Sequence, residues 1–80
     1  MMTLKELKHS LGENYSDMWF TYHGKPCGVT STVQNYRPTF EAWCGEQEKT
    51  YHSLDDLISD TFFDGTSLVT LLRDKVQFYF

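Results

Sequence analysis

The sequence predicts an α+β fold: an N-terminal helix, a three- to four-stranded antiparallel meander, and C-terminal helices packed on one sheet face, with a terminal strand as an option for the chain end. Three observations predict it. Leu4, Leu7 and Leu11 recur at helical spacing. From Asp17 to Gly45, apolar and polar residues alternate in β-rich runs separated by turn-forming clusters. From Ser53 the helical period returns, with Leu54, Leu57 and Ile58 on one side. Eighty residues leave room for one core, so residues 1–80 form a single domain.

The first helix has a start and a stop. Thr3 followed by Glu6 is a capping-box pattern. Gly12 suits the left-handed residue that ends a helix, which places the helix at Leu4 to Leu11. About two turns cannot hold alone, so the leucine stripe must pack on something.

Asp17 to His23 reads as a strand, rich in β-formers. His23-Gly24-Lys25-Pro26 is turn chemistry, and Cys27 to Gln34 is the returning strand. A Gly24-Lys25 loop places Phe20 opposite Val29; a His23-Gly24 loop moves the register by two. Either choice leaves the same side chains on the same face, because the strand period is two. Met18, Phe20, Tyr22, Cys27, Val29 and Val33 are assigned inward, and Trp19, Thr21, Thr30, Thr32 and Gln34 outward. Asn35-Tyr36-Arg37-Pro38 is the second turn. In the third strand, Thr39 to Gly45, Phe40, Ala42 and Cys44 look inward while Glu41 and Trp43 look outward. Glu46-Gln47-Glu48 reads as a polar loop, and Lys49 to His52 as a short edge strand.

Ser53 is a good N-cap, and Asp55 and Asp56 fall in the first turn, where the helix dipole favours negative charge. Leu54, Leu57, Ile58, Thr61 and Phe62 form the inward side. Asp56, Asp60 and Asp64 line the opposite side until Gly65 breaks the helix. Thr66 or Ser67 caps a last helix with Leu68, Val69, Leu71 and Leu72. The tail Val76 to Phe80 is too apolar and β-prone to stay loose, so it docks as a strand or against the helices.

Composition narrows the function. The net charge is −4 and the seven Lys and Arg form no cluster. That disfavours direct binding to nucleic acid or an anionic membrane, which draws on local positive charge. No apolar run approaches the roughly 20 residues of a membrane-spanning helix, and no secretory signal is visible. Two cysteines are too few for a disulfide framework. A cytoplasmic protein with free thiols is the expectation.

Leu11–Tyr15 after the first helix, Phe20–Lys25 at the hairpin, Ser53–Leu57, and Phe62–Leu68 together resemble a group of small uncharacterised proteins from Gram-positive bacteria and their prophages. The resemblance covers most of the chain, but its motifs are caps and turns. It implies a bacterial cytoplasmic origin and a phage-related setting, and it carries no activity and no catalytic residues.

The chemistry-bearing side chains are sparse. Cys27, Cys44, His9, His23 and His52 lack the short ligand spacing of zinc sites, and the cysteines lie 17 positions apart. They read as two buried thiols, with no metal and no cofactor. Cys44 and His52 could approach across a turn, but parity points Cys44 inward and no nucleophile elbow is present. Asp64-Gly65-Thr66-Ser67 precedes a helix, yet one glycine and no lysine make a helix cap rather than a phosphate loop.

The outward pair Trp19 and Trp43, with Tyr51, is the best candidate for a partner surface, because exposed tryptophans anchor protein interfaces. The competing expectation is that the terminal segment or first helix folds over this face and buries them. The sequence thus points to a small non-enzymatic module that binds another protein, a second copy of itself included. The β-rich tail also offers an edge for strand addition. The alternative is an acidic inhibitor or nucleic-acid mimic, in which Asp56, Asp60 and Asp64 act with Glu46 and Glu48 on a nucleic-acid-binding protein.

Overall fold

The computed structural model describes residues 2–80. Helix α1 spans Leu4–Gly12. The Thr3 hydroxyl accepts from the Glu6 amide at 3.1 Å, and the Glu6 carboxylate accepts from the Thr3 amide at 3.3 Å, closing the capping box. Gly12 lies inside the helix rather than ending it in a left-handed conformation. A Cβ built there would lie 2.7 Å from Leu54 Cδ2. The glycine is a point of close approach between α1 and the helix that carries Leu54.

Four strands follow: β1 (Met18–Tyr22), β2 (Lys25–Gln34), β3 (Arg37–Cys44) and β4 (Gln47–Tyr51). They form one antiparallel sheet in the order β1-β2-β3-β4. All three connections are two-residue loops, set by backbone handedness. His23 and Gly24 have φ of 51° and 74°, and Asn35 and Tyr36 have φ of 53° and 62°. Two positive-φ central residues are what a type I′ hairpin turn requires. Gly45, at φ 63°, supplies the first central position of the third loop.

The register follows from the loops. With His23-Gly24 as the first loop, Met18 lies opposite Val29 and Phe20 opposite Cys27. The β3–β4 loop is shorter than the polar run suggests, and Gln47 and Glu48 belong to β4.

Parity places Met18, Phe20, Cys27, Val29, Phe40, Ala42 and Cys44 on the buried face, with Tyr22 half-buried there. Val33 has the expected parity but is exposed, because the β2–β3 hairpin runs out past the helices that cover the sheet. Tyr51 is a second correction. It lies opposite Phe40 on the inner face and is buried, so it does not share a surface with the tryptophans.

The expected Ser53–Gly65 helix stops early. Helix α2 spans Leu54–Ser59, with Ser53 as N-cap. Three side-chain bonds mark its end. The Ser59 hydroxyl donates to the Asp55 carbonyl at 2.7 Å, and the Asp60 carboxylate accepts from Lys49 at 2.7 Å and Tyr51 at 2.6 Å while its backbone turns extended. Phe63 and Thr66 then exchange two backbone hydrogen bonds around Asp64-Gly65. Asp64 and Gly65 have φ of 54° and 80°, so this is a tight turn of the Asp-Gly type. The turn buries Phe63 completely and leaves Thr61 exposed. Helix α3 spans Leu68–Arg73, with the Ser67 hydroxyl accepting from the Thr70 amide.

One hydrophobic cluster takes side chains from all seven elements: Leu7 and Leu11, Met18 and Phe20, Val29, Phe40, Tyr51, Leu57 and Ile58, Leu68 and Leu71, with Phe63 between helices. The helices therefore back one sheet face, as the inward strand positions demand.

Candidate functional site

Among the described residues no helix covers the opposite face of the sheet. Trp19 and Trp43 both lie opposite Gly28, one from each side, so two indole-bearing strands flank a glycine. A Cβ built on Gly28 would lie 2.4 Å from Trp43 Cζ2 and 2.6 Å from Cη2. The Trp43 indole thus leans across the glycine toward β1 and is half-buried there. Trp19 stays 50% exposed.

The tail extends this row. Trp19 and Tyr79 exchange backbone hydrogen bonds of 2.9 and 2.8 Å in an antiparallel bridge. Their rings stack at 6.4 Å between centroids and 18° between planes. On the inner side, Phe78 packs edge-on against Phe20 at 5.1 Å. The tail docks by alternation: Phe78 enters the core while Tyr79 joins the outer face. It pairs at the edge of the sheet rather than folding over the tryptophans. The outer row therefore reads Tyr79, Trp19, Gly28, Trp43 and Glu48 across the strands, and Phe80 is exposed at its end.

Charge beside the row is acidic. Glu48 lies opposite Trp43, and Glu41 precedes it by two on the same face. Together with Thr30, Thr50 and Lys49, whose ammonium Asp60 holds, they line a shallow depression of about 250 Å³ against the Trp43 ring. Among the described residues neither glutamate has a cationic partner. Sequence reasoning put Glu41 and Trp43 on one face but missed Tyr79 and the place of Glu48 opposite Trp43. Strand parity of the tail and the Gly45 loop carry the signal for both.

The acidic stripe does not form. Asp56 remains on α2, but Asp60 caps the end of that helix and Asp64 sits in the following turn. Each of the last two carboxylates holds a lysine. Asp60 accepts from Lys49, and Asp64 accepts from Lys25 at 3.1 Å and pairs with His23 at 2.7 Å. Hydrogen bonds from Lys49 and then Tyr51 hold Asp60 below the usual carboxylate range. His23 and then Lys25 do the same for Asp64. In return Asp64 raises Lys25, and burial followed by the Asp60 bond pushes Tyr51 up. These carboxylates tie loops to strands: Asp64 joins the Asp64-Gly65 turn to the His23-Gly24 turn, 41 residues away.

Cys27 and Cys44 lie opposite each other on β2 and β3, both buried, with sulfurs 2.9 Å apart. Burial, then the hydrogen bond to Cys44, pushes the Cys27 thiol up to about 12. Among the described residues no group of three or more His, Cys, Asp and Glu gathers. His9 pairs with Glu13, and His52 borders a separate surface depression with Gln34, Arg37 and Thr39. Cys44 bonds Cys27 rather than His52. Among the described residues no helix is long and apolar enough to cross a membrane.

Fold and site together define a small α+β domain whose helices back one face of a four-stranded meander and leave an aromatic row on the other. No family model, curated protein or solved structure matches this chain.

Proposed function

We propose that this chain is a small non-enzymatic interaction module, active in the cytoplasm, that holds a protein partner against the outer face of its sheet. One observation carries the reading: Tyr79, Trp19 and Trp43 form a single aromatic row on a face that no helix covers. Such rings supply large contact area at low conformational cost and dominate interface energetics. The unpaired Glu41 and Glu48 beside Trp43 select the partner's chemistry. An arginine or lysine of an extended segment would meet a ring face and two carboxylates at once, by cation–π attraction and ion pairing. A partly apolar, basic protein segment is the occupant this face fits.

The acidic-mimic reading has less support, because Asp60 and Asp64 each pair with a lysine, the first on β4 and the second at the β1–β2 hairpin. A peptide-display selection on the folded protein tests the proposal. Basic segments with an apolar residue should be enriched, and Trp19→Ala or Trp43→Ala should weaken the selected peptides at least tenfold. Glu41→Gln with Glu48→Gln should weaken basic peptides only. Selected peptides indifferent to both tryptophans would remove the outer face as the site. A steep loss with salt that ignores the tryptophans would favour the mimic.

A further inference from the structure

The Cys27–Cys44 contact points to chemistry that the docking face does not need. The two residues are direct neighbours across β2 and β3. The phase of the ladder is set one step away, where the Gly45 amide donates to the Pro26 carbonyl at 2.8 Å. Hydrogen-bonded pairs alternate with open ones, so the 27–44 pair is open. Open pairs bring Cα atoms to about 4.5 Å, within the range of about 4.4–6.8 Å that a disulfide spans. The sulfurs already touch at 2.9 Å, with no side chain between them. Cys44 is the last residue of β3, beside the Gly45-Glu46 loop, so fraying of that sheet end exposes it without unfolding the core.

We propose that Cys27 and Cys44 are a reversible redox pair, a dithiol in reducing surroundings that closes to one intramolecular disulfide by exchange with a small-molecule disulfide such as oxidised glutathione. The Cys44 thiolate attacks one glutathione sulfur, forming a mixed disulfide and releasing one glutathione thiolate. The Cys27 thiolate then attacks the Cys44 sulfur and expels the second glutathione. Two electrons pass from the protein sulfurs to the glutathione disulfide, and the two thiol protons end on two glutathione thiols. Both sulfurs are buried from external disulfides, so closure is slow and follows the opening of the sheet end. The bond clamps the two strands that carry Gly28 and Trp43 and closes a loop through the β2–β3 hairpin. The oxidised form is therefore the more stable one.

The test equilibrates the full chain in glutathione buffers of graded ratio, approached from both the reduced and the oxidised side. Remaining thiols are alkylated in denaturant and the intact mass is read. The expected result is a monomer lighter by the two lost hydrogens, with no alkylated cysteine, melting several degrees above the dithiol form. Cys27→Ser should give no such species and should stop at one glutathione adduct on Cys44. Two alkylatable thiols at the most oxidising ratio, stable double adducts, disulfide-linked dimers, or an oxidised monomer melting below the reduced one would each overturn the proposal.

Discussion

A glycine inside a strand forfeits side-chain packing and costs backbone entropy, so its presence in β2 needs a physical reason. At Gly28 the reason is occupied space: a Cβ would meet the Met18 carbonyl oxygen and the Trp43 ring, each at 2.4 Å. The carbonyl belongs to the neighbouring strand's backbone and cannot step aside. Gly28→Ala should therefore cost about 1–3 kcal/mol, as overpacking does, and shift Trp43 fluorescence by moving its ring. Gly12 is the contrasting case. Its would-be Cβ meets only the flexible end of Leu54, and alanine is the better helix former. Gly12→Ala should be close to neutral. Urea midpoints of the two variants check both; equal effects would refute the distinction. Residue-level legibility was uneven for the same reason. Alternation reports which face a side chain takes, so both tryptophans were placed outward from sequence. It says nothing about what lies beside them, so the ring over Gly28 and the Cys27–Cys44 contact stayed hidden until the register was known.

At the scale of elements, loop geometry decided what periodicity left open. The alternation in β2 and β3 is compatible with several registers, and only the two-residue loops pick one. Asp64-Gly65 shows the limit. The same dipeptide that ends a helix also makes a tight turn, and the capped α2 with Asp60 drawn to Lys49 and Tyr51 favours the turn. Partners so distant along the chain leave no trace in a window of local sequence. The Asn35-Tyr36 loop adds a prediction. Tyr36 is fully exposed, so its side chain gives up nothing, yet its backbone sits at φ 62°, where side chains other than that of glycine are disfavoured. Tyr36→Gly creates an Asn-Gly loop and should raise stability by about 0.5–1 kcal/mol, after allowing for the greater freedom of the unfolded chain. Tyr36→Ala should show no such gain. If glycine destabilises, the phenol has a role in holding the hairpin.

For the whole molecule, titratable groups bracket the fold from both sides of neutrality. Asp60 and Asp64 sit below the usual carboxylate range, so near pH 3 the unfolded chain binds more protons than the folded one. Their contribution is complete above the ordinary value of about 4 and fades as pH falls through the depressed folded values. Cys27 and Tyr51 act with the opposite sign. Both are raised in the fold, so the unfolded chain releases these protons first as pH rises. The Cys27 contribution is complete below the ordinary thiol value of about 8.5 and is lost as pH climbs toward about 12, while that of Tyr51 is complete below the ordinary phenol value of about 10 and is lost at higher pH still. Stability should thus form a plateau from about pH 4 to 8.5 with a shoulder on each side. Urea unfolding across pH in the presence of reductant reads both. Asp64→Asn should reduce the acid shoulder, leaving the share of Asp60, and should shrink the alkaline one as well, because Asp64 also raises Lys25 and Cys27. Cys27→Ala should delay the alkaline loss until the tyrosine range near pH 10. A profile that declines steadily across neutrality would mean that other groups govern the fold, and that neither the Asp64 clamp nor the buried thiol is coupled to folding as the geometry requires.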